Sequence, residues 1–305
     1  VEYQHKAENG LTNQGWKDSF DSIMYENGEL CVPPIALCEV QGYTYAAKKY
    51  ASALMSVFES EEVAHQLRNE AEELKKKFNK QFWDNELGCY VLALDGNKKP
   101  CKVISSNAGQ CFFTGIVEQD KAKMLAETMM HTNMFSGWGI RTLSSAEKRY
   151  NPMSYHNGSV WPHDNALIAY GLSLYGFQKE ALQIMDAMFS AALFIDLQRL
   201  PELYCGFEKK QSEGPTAYPV ACSPQAWSVS VAFLLIQACL QMEINALTKK
   251  VVFNKPELPS FLDEIHISDL KLGPYKMDFD AYRHPYDVGF NVRHKPVEWE
   301  VIIKK

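Results

Sequence analysis

Several features are missing from this sequence of 305 residues, and each absence removes a class of protein. No apolar run approaches the roughly 20 residues that a membrane-spanning helix needs, and no charged-then-apolar leader is visible at the start. A membrane is therefore not an expected partner. Excess positive charge is missing too: 31 basic against 37 acidic side chains give a formal net charge of −6, with lysines and arginines dispersed apart from short runs such as Lys75 to Lys77. Without a basic field to neutralise phosphates, nucleic acid is not expected either. The eight cysteines include no Cys-x-x-Cys pair, and the eight histidines no pair at ligand spacing, so there is no zinc motif. Cys38, Cys111 and Cys239 fall inside apolar helical patterns, where cysteine behaves as a small hydrophobe, and free thiols in a reducing, cytoplasmic compartment are expected. Strict repeats and low-complexity segments are absent as well. The first residue is Val1 rather than Met, which points to a further segment upstream.

What remains is an ordinary globular composition, 46% hydrophobic and 22% charged, long enough for a large core. Helical periodicity dominates the first part of the chain. The stretch SEEVAHQLRNEAEELKKKFNKQFW predicts an amphipathic helix with Ser60 as its N-cap, acids in the first turn, lysines near the end, and an apolar face of Val63, Leu67, Ala71, Leu74, Phe78 and Phe82. Before it, PIALCEVQGYTYAAKKYASALMSVF is apolar around most of its circumference, as a helix buried on most sides should be. The same alternation of an apolar helix and a more polar one recurs in SSNAGQCFFTGIVEQ with QDKAKMLAETMMH, and in NGSVWPHDNALIAYGLSLYG with FQKEALQIMDAMFSAALF. Gly176 marks the stop between the last two, and CSPQAWSVSVAFLLIQACLQME opens a fourth pair. Pairs of this kind, with apolar members facing a common axis, predict a mainly α fold organised as an (α/α)6 toroid. A closed ring of six pairs needs twelve helices and seven are visible, so the toroid is expected to be incomplete at its N-terminus. From about Thr248 the texture changes to short alternating runs around Glu264, Met277, Val288 and Trp299 with Pro and Gly between them. The expected organisation is a partial toroid over residues 1–247 and a small antiparallel β appendage over residues 248–305.

Four stretches break the helical periodicity: NQGWKDSFDS, MFSGWGIRTLS, YHNGSVWPHDN and LPELYCGF. In a ring of helical hairpins the loops at one end converge on the axis, so these four are expected to line one pocket. Trp16, Trp138, Tyr155, Trp161 and Tyr204 offer flat apolar faces; Lys17, Asp18, Asp21, Arg141, His156, Asn157, His163, Asp164 and Glu202 offer donors and acceptors. A sugar ring presents apolar C–H faces and a rim of hydroxyls, and aromatic plates beside short polar side chains match it. Glycosidic hydrolysis also needs two carboxyl groups across the scissile bond, and Asp18 or Asp21 with Glu202 are the candidates. Taken singly, each is as readily a turn or cap residue, and Trp227 as readily core; their co-occurrence in loops of one helical scaffold marks the site.

At these residues the sequence resembles the bacterial amylo-alpha-1,6-glucosidase or glycogen-debranching-type proteins, within the wider six-hairpin group of glucoamylases, trehalases and processing glucosidases. The resemblance covers about residues 10 to 245, and the strings His-Asn-Gly-Ser-Val-Trp-Pro and Gln-Ala-Trp-Ser carry most of it. It implies a six-pair toroid preceded by a β-rich domain and further helices, and an oligosaccharide or glucan as substrate. In their absence, exposed inner helices invite that domain or a second copy of the chain. It further implies an inverting α-glucosidase with Asp18 as general acid, kept protonated by an apolar surround that includes Trp16, and Glu202 as general base. Trp161, His163 and Asp164 are expected to hold the innermost sugar, and no metal or organic cofactor is needed. Trehalase-like relatives place the acid directly after Gly-Trp; here Lys17 intervenes, which keeps Asp21 open as the acid, while Glu208 stands close to Glu202. The carboxyls should lie roughly 6.5–9.5 Å apart for inversion. Two other readings share this architecture: a non-catalytic carbohydrate-binding scaffold, and a sugar epimerase with histidines as acid and base.

Overall fold

The computed structural model describes residues 1–7, 9–58 and 60–305. Each of the predicted helical stretches contains a helix: α1 (Cys38–Val57), α2 (Glu61–Gln81), α3 (Ser106–Thr114), α4 (Gln119–Met130), α5 (Pro162–Leu174) and α6 (Gln178–Ala192). The last stretch is split into a single turn, α7 (Ala226–Val229), and α8 (Val231–Leu240). The mostly apolar members form a row in which α1 packs on α3, α3 on α5 and α5 on α8, while α2, α4 and α6 lie against α1, α3 and α5. Composition explains the order. Helix α5 buries ten of its thirteen residues, so it belongs in the interior of the row. Helix α2 buries one stripe, Ala64, Ala71 and Phe78 with the adjoining Asn79, and Leu67 and Leu74 are half-buried along it. Val63 lies off that stripe and is exposed. Ser60 occupies the N-cap position but makes no capping hydrogen bond, leaving the acids Glu61 and Glu62 to complement the helix start.

The row is tight where its inner helices cross. A Cβ at Gly171 of α5 would lie 2.5 Å from both the Cβ of Phe112 and the backbone nitrogen of Phe113 in α3, so only glycine permits this approach. Short strands bridge the helical pairs: β1 (Ala36–Leu37), β4 (Ala93–Leu94) and β5 (Pro100–Cys101) form one small sheet, and β2 (Trp83–Asp84) pairs with β3 (Cys89–Tyr90). At the two ends of the row apolar side chains stay exposed, Tyr50, Leu54 and Val57 on α1 and Val229 and Phe233 on α7 and α8. Among the described residues no helix is long and apolar enough to cross a membrane.

The C-terminal unit contains two three-stranded sheets. Strands β6 (Met242–Asn245), β7 (Lys250–Asn254) and β11 (Glu300–Lys304) form one, in the order β11-β7-β6; β8 (Glu264–Leu272), β9 (Tyr275–Arg283) and β10 (Val288–His294) form the other, in the order β10-β9-β8. Two expectations are corrected here. The unit begins at Met242 rather than Thr248, because Gln241 adopts a left-handed φ of 43° that ends α8, and its carbonyl accepts from the Asn254 N–H. Nor is the unit wholly antiparallel, since β11 runs parallel to β7. The sheets share the helical core: Phe253 and Phe279 belong to the same buried cluster as Phe112 and Ile184, and Phe189 of α6 meets Phe261.

Replacing Gly171 by Ala forces the α3–α5 crossing apart. The Gly171→Ala protein is expected to lose about 1–3 kcal/mol of stability, read as a lower urea midpoint; an unchanged midpoint would show that the crossing tolerates a methyl group.

Candidate active site

The first turns of the inner helices meet at one end of the row, and polar or aromatic side chains stand at or near that end of each. Glu39 stands at the start of α1, Ser106, Asn107 and Gln110 in α3, His163 and Asp164 in α5, and Trp227 in α7. Into this end drops the loop that precedes β1. Trp16 sets its indole edge-on to His156, Trp161 and His163, with ring centroids 5.7, 5.6 and 5.1 Å away. Trp227 stacks on His163 at 4.0 Å and 4° and meets Trp161 edge-on. Tyr155 packs against His156, Trp161 and Tyr218. The result is an aromatic enclosure over a polar floor.

The floor is buried and incompletely bonded. Lys17 donates its ammonium to the Thr142 carbonyl at 2.6 Å and lies over the Trp16 ring. Burial pushes its pKa down to about 8, opposed by the nearby Asp164 and Glu39 carboxyls. Burial likewise raises Glu39 to about 7 and raises Asp164, against the pull of Lys17 and of Gln110, whose Nε2 donates to Asp164 Oδ1 at 2.5 Å. Tyr43 donates in turn to Gln110 Oε1. Asn107 faces Glu39 and Ser106 faces Asp164 closely enough to favour their ionised forms, yet not in hydrogen-bond geometry. Trp16 Nε1, Glu39 Oε1, Ser106 Oγ, both amide atoms of Asn107, His163 Nδ1 and Asp164 Oδ2 have no partner among the described residues. Buried polar atoms are normally satisfied, so seven unpartnered ones on these neighbouring elements single out this end of the row as the candidate site.

Two carboxyl groups stand at the sides of this enclosure in different surroundings. Glu202 is 6% exposed; its Oε1 accepts from the Tyr155 hydroxyl at 2.8 Å and from Gln225 at 3.2 Å, and its Oε2 from the Cys222 N–H at 3.2 Å. All three contacts donate to oxygen, the arrangement an ionised carboxylate requires. Asp18 is open, with its side chain 54% exposed and Oδ1 4.0 Å from His156 Nδ1. The apolar surround expected around Asp18 is thus not formed: Trp16 turns its ring toward the histidines and Trp161 instead. Asp21 contributes its backbone carbonyl, which accepts from Asn157 at 3.2 Å.

Trp138 and Tyr204 are not brought into the enclosure. Both sit in the hydrophobic core, Tyr204 donating to the Trp138 carbonyl at 2.6 Å. Single antiparallel bridges link Arg141 to Val160, Val160 to Tyr204 and Tyr204 to Ala217, and this ladder turns the Tyr204 ring away from the site. Arg141 is structural as well, donating to the carbonyls of Gly206 at 2.7 Å and Thr132 at 2.9 Å. Conversely, Glu39, Ser106, Asn107 and Gln110 stand within helices and escape a search confined to loops, while Gln225 caps the start of α7. The signal of those four is a buried polar residue at or near the start of an inner helix. No group of three or more His, Cys, Asp and Glu side chains among the described residues is arranged to hold a metal ion.

Burial lowers His156 to about 3, with help from Lys17 and His163, and lowers His163 to about 4. Both are therefore neutral near pH 7. A histidine with a depressed folded-state pKa contributes stability above its unfolded value of about 6.5, and this is lost as pH falls through the folded value. The melting temperature should fall between pH 6.5 and pH 4, and more gently in a His163→Phe protein, which keeps the stacked ring but cannot be protonated; identical slopes would remove His163 from the acid transition.

The Mannosylglycerate hydrolase MGH1-like glycoside hydrolase domain matches residues 17–199, a span that takes in the Asp18 loop and the first turn of α5. Several solved structures share the fold. The GH63 mannosylglycerate hydrolase from Thermus thermophilus is 18% identical at a TM-score of 0.54, over 66% of this chain and 45% of its own. The GH78 family rhamnosidase of Bacillus sp. GL1 is 15% identical at a TM-score of 0.63, over 88% of this chain and 26% of its own. Neutral trehalase Nth1 from Saccharomyces cerevisiae is 15% identical at a TM-score of 0.52, over 72% and 41%. The chain thus spans less than half the length of each of these proteins. No curated protein matches it. These likenesses agree with the wider six-hairpin glycosidase group rather than with amylo-alpha-1,6-glucosidase in particular, and the chain belongs to the MGH1-like glycoside hydrolase family.

Proposed function

We propose that this site hydrolyses an α-glucosidic bond with inversion at the anomeric carbon. The observation that carries the reading is the concentration of seven buried, unpartnered donors and acceptors, from Trp16 Nε1 to Asp164 Oδ2, at the end of the row where Trp16, Trp161 and Trp227 also gather, a combination of polar atoms and aromatic rings that suits a sugar. The convergence of the first turns of α1, α3, α5 and α7 on that space supports an (α/α)6 toroid of which these helices form an arc. The exposed apolar side chains of α1 and α8 are then where further helices would continue the ring.

In this mechanism the roles follow from the surroundings. Glu202 is the base. Its Oε1 is filled by Tyr155 and Gln225 while Oε2 carries the single Cys222 contact, so Oε2 keeps a lone pair to take a proton from water. Asp18 is the acid, free of any strong partner and able to turn toward the glycosidic oxygen. The water attacks from the Glu202 side as the leaving sugar departs on the Asp18 side. His156 and His163 are both uncharged near pH 7 and do not act as a paired acid and base, which separates this reading from an epimerase. A second reading, cleavage of mannosylglycerate, draws on the family match over residues 17–199. The buried cysteines, seven of the eight thiols, support a reducing compartment and with it the cytoplasm.

The test is hydrolysis of isomaltose, panose, trehalose, a branched limit dextrin and mannosylglycerate, with the anomer released followed by NMR. Release of β-sugar from an α-linked substrate is expected, and Asp18→Asn and Glu202→Gln should each lower kcat by about a hundredfold or more. Binding of a glucan without release of sugar by the parent would establish a carbohydrate-binding scaffold instead, and preference for mannosylglycerate would select the second reading.

A further inference from the structure

Tyr155 and His156 are neighbours in the chain, yet they reach in opposite directions. The Tyr155 hydroxyl donates to Glu202 at 2.8 Å. His156 Nδ1 lies 2.8 Å from Ser19 Oγ, 3.4 Å from the Ser19 N–H and 4.0 Å from Asp18. The next residue, Asn157, continues the bridge by donating to the Asp21 carbonyl at 3.2 Å. One short segment therefore touches both loops that carry the candidate acid and base.

That segment is anchored by hydrogen bonds and ring packing. The Tyr155 carbonyl accepts from Ser159 Oγ at 2.6 Å and from Trp161 Nε1 at 2.9 Å, and the His156 ring stacks on Trp161 at 5.1 Å and 19°. Trp161 is itself fully buried. Because the Ser19 N–H can only donate, Nδ1 of His156 accepts, which fixes its proton on Nε2. An uncharged imidazole neutralises nothing on Asp18, so its contribution is one of position.

We propose that Tyr155 and His156 form a spacer that sets the distance between Asp18 and Glu202, Tyr155 holding the base and His156 the loop of the acid. The inference rests on the reading of those two carboxyls as acid and base. It differs from a sugar-contact role for either residue in that both act through the carboxyls. A water-sized gap between the carboxyls is what separates inversion from retention, and a fixed spacer is a direct way to maintain it without covalent linkage between the two loops.

The experiment compares crystal structures and kinetics of the parent with Tyr155→Phe, His156→Phe and His156→Asn. The two phenylalanine variants keep an aromatic ring and lose the polar atoms, the hydroxyl of Tyr155 and both ring nitrogens of His156, whereas Asn restores an acceptor for Ser19. The kinetic probes are the α-glucosyl and α-mannosyl fluorides, whose leaving group departs without protonation, and the disaccharide that the parent cleaves best. Tyr155→Phe should lower kcat about 10–100-fold on both kinds of substrate with KM nearly constant, as loss of a positioned base does. His156→Phe should lower kcat by a similar factor on the disaccharide and by less than about threefold on the fluoride, with Asp18 displaced by about 1 Å in the crystal; His156→Asn should recover most of the loss. An unchanged carboxyl separation in both phenylalanine variants, or equal losses of His156→Phe on both substrates, would overturn the spacer. A parent that cleaves none of these compounds overturns the proposed hydrolysis instead, and the crystallographic separations then still decide the spacer.

Discussion

An ammonium group with almost no access to water has to find its partners inside the protein, and the loop that carries Lys17 is held by that requirement. The Lys17 Nζ–Thr142 contact spans 125 residues of sequence, tying the segment before the first helix to the segment before α5. Desolvation alone would make this costly. It is offset by the two acids that share the floor, Glu39 at the opening of α1 and Asp164 at the opening of α5, each also placed at the end of a helix where backbone N–H groups favour negative charge. Trp16 and Asp18 are adjacent to Lys17 and Ser19 follows, so its anchoring positions the indole, the exposed carboxyl and the serine in one stroke. The same ammonium helps keep His156 uncharged, which leaves that ring free to accept from Ser19.

The helices were legible in the sequence because their signal is periodic and long. The apolar circumference of α5, the stripe of α2 and the stop at Gly176 are each set by many residues or by backbone geometry, and tertiary packing reinforces them. The appendage was less so. QACLQMEINALT continues an apolar helical pattern through residue 242, and only the left-handed turn at Gln241 with its tie to Asn254 converts it into a strand. No local propensity announces that turn, since glutamine rarely adopts such a conformation.

For the site, loops rich in Trp, Gly and acids pointed to one end of the helical row, and Trp16, Tyr155, His156, Trp161, His163 and Asp164 gather there. Composition could not say which way an individual ring faces. Trp138 and Tyr204 lie in segments as loop-like as the others, but single bridges such as Val160 with Tyr204 impose a strand orientation over one residue at a time, too short for any alternation to be read. The polar floor was missed for the opposite reason. Glu39, Asn107 and Gln110 stand within helices whose apolar neighbours dominate the pattern, and a lone polar residue in such a helix is informative only once several helices are known to begin at the same place.

The unequal exposure of the two carboxyls has a consequence for how such a site would work. A base that must stay ionised is served by fixed donors, and Glu202 has three. A proton donor is served by a dry surround, which Asp18 lacks because its side chain faces solvent. On the proposed reading the substrate supplies that surround. A sugar seated on the polar floor with its neighbour extending past Asp18 would displace the water from the carboxyl and place the glycosidic oxygen where the water had been. Only a complete disaccharide would cover the acid in this way, and a monosaccharide confined to the floor would leave Asp18 exposed. Coupling the acid's environment to occupancy of both sugar positions in this way would restrict proton donation to the complex that has a bond to break.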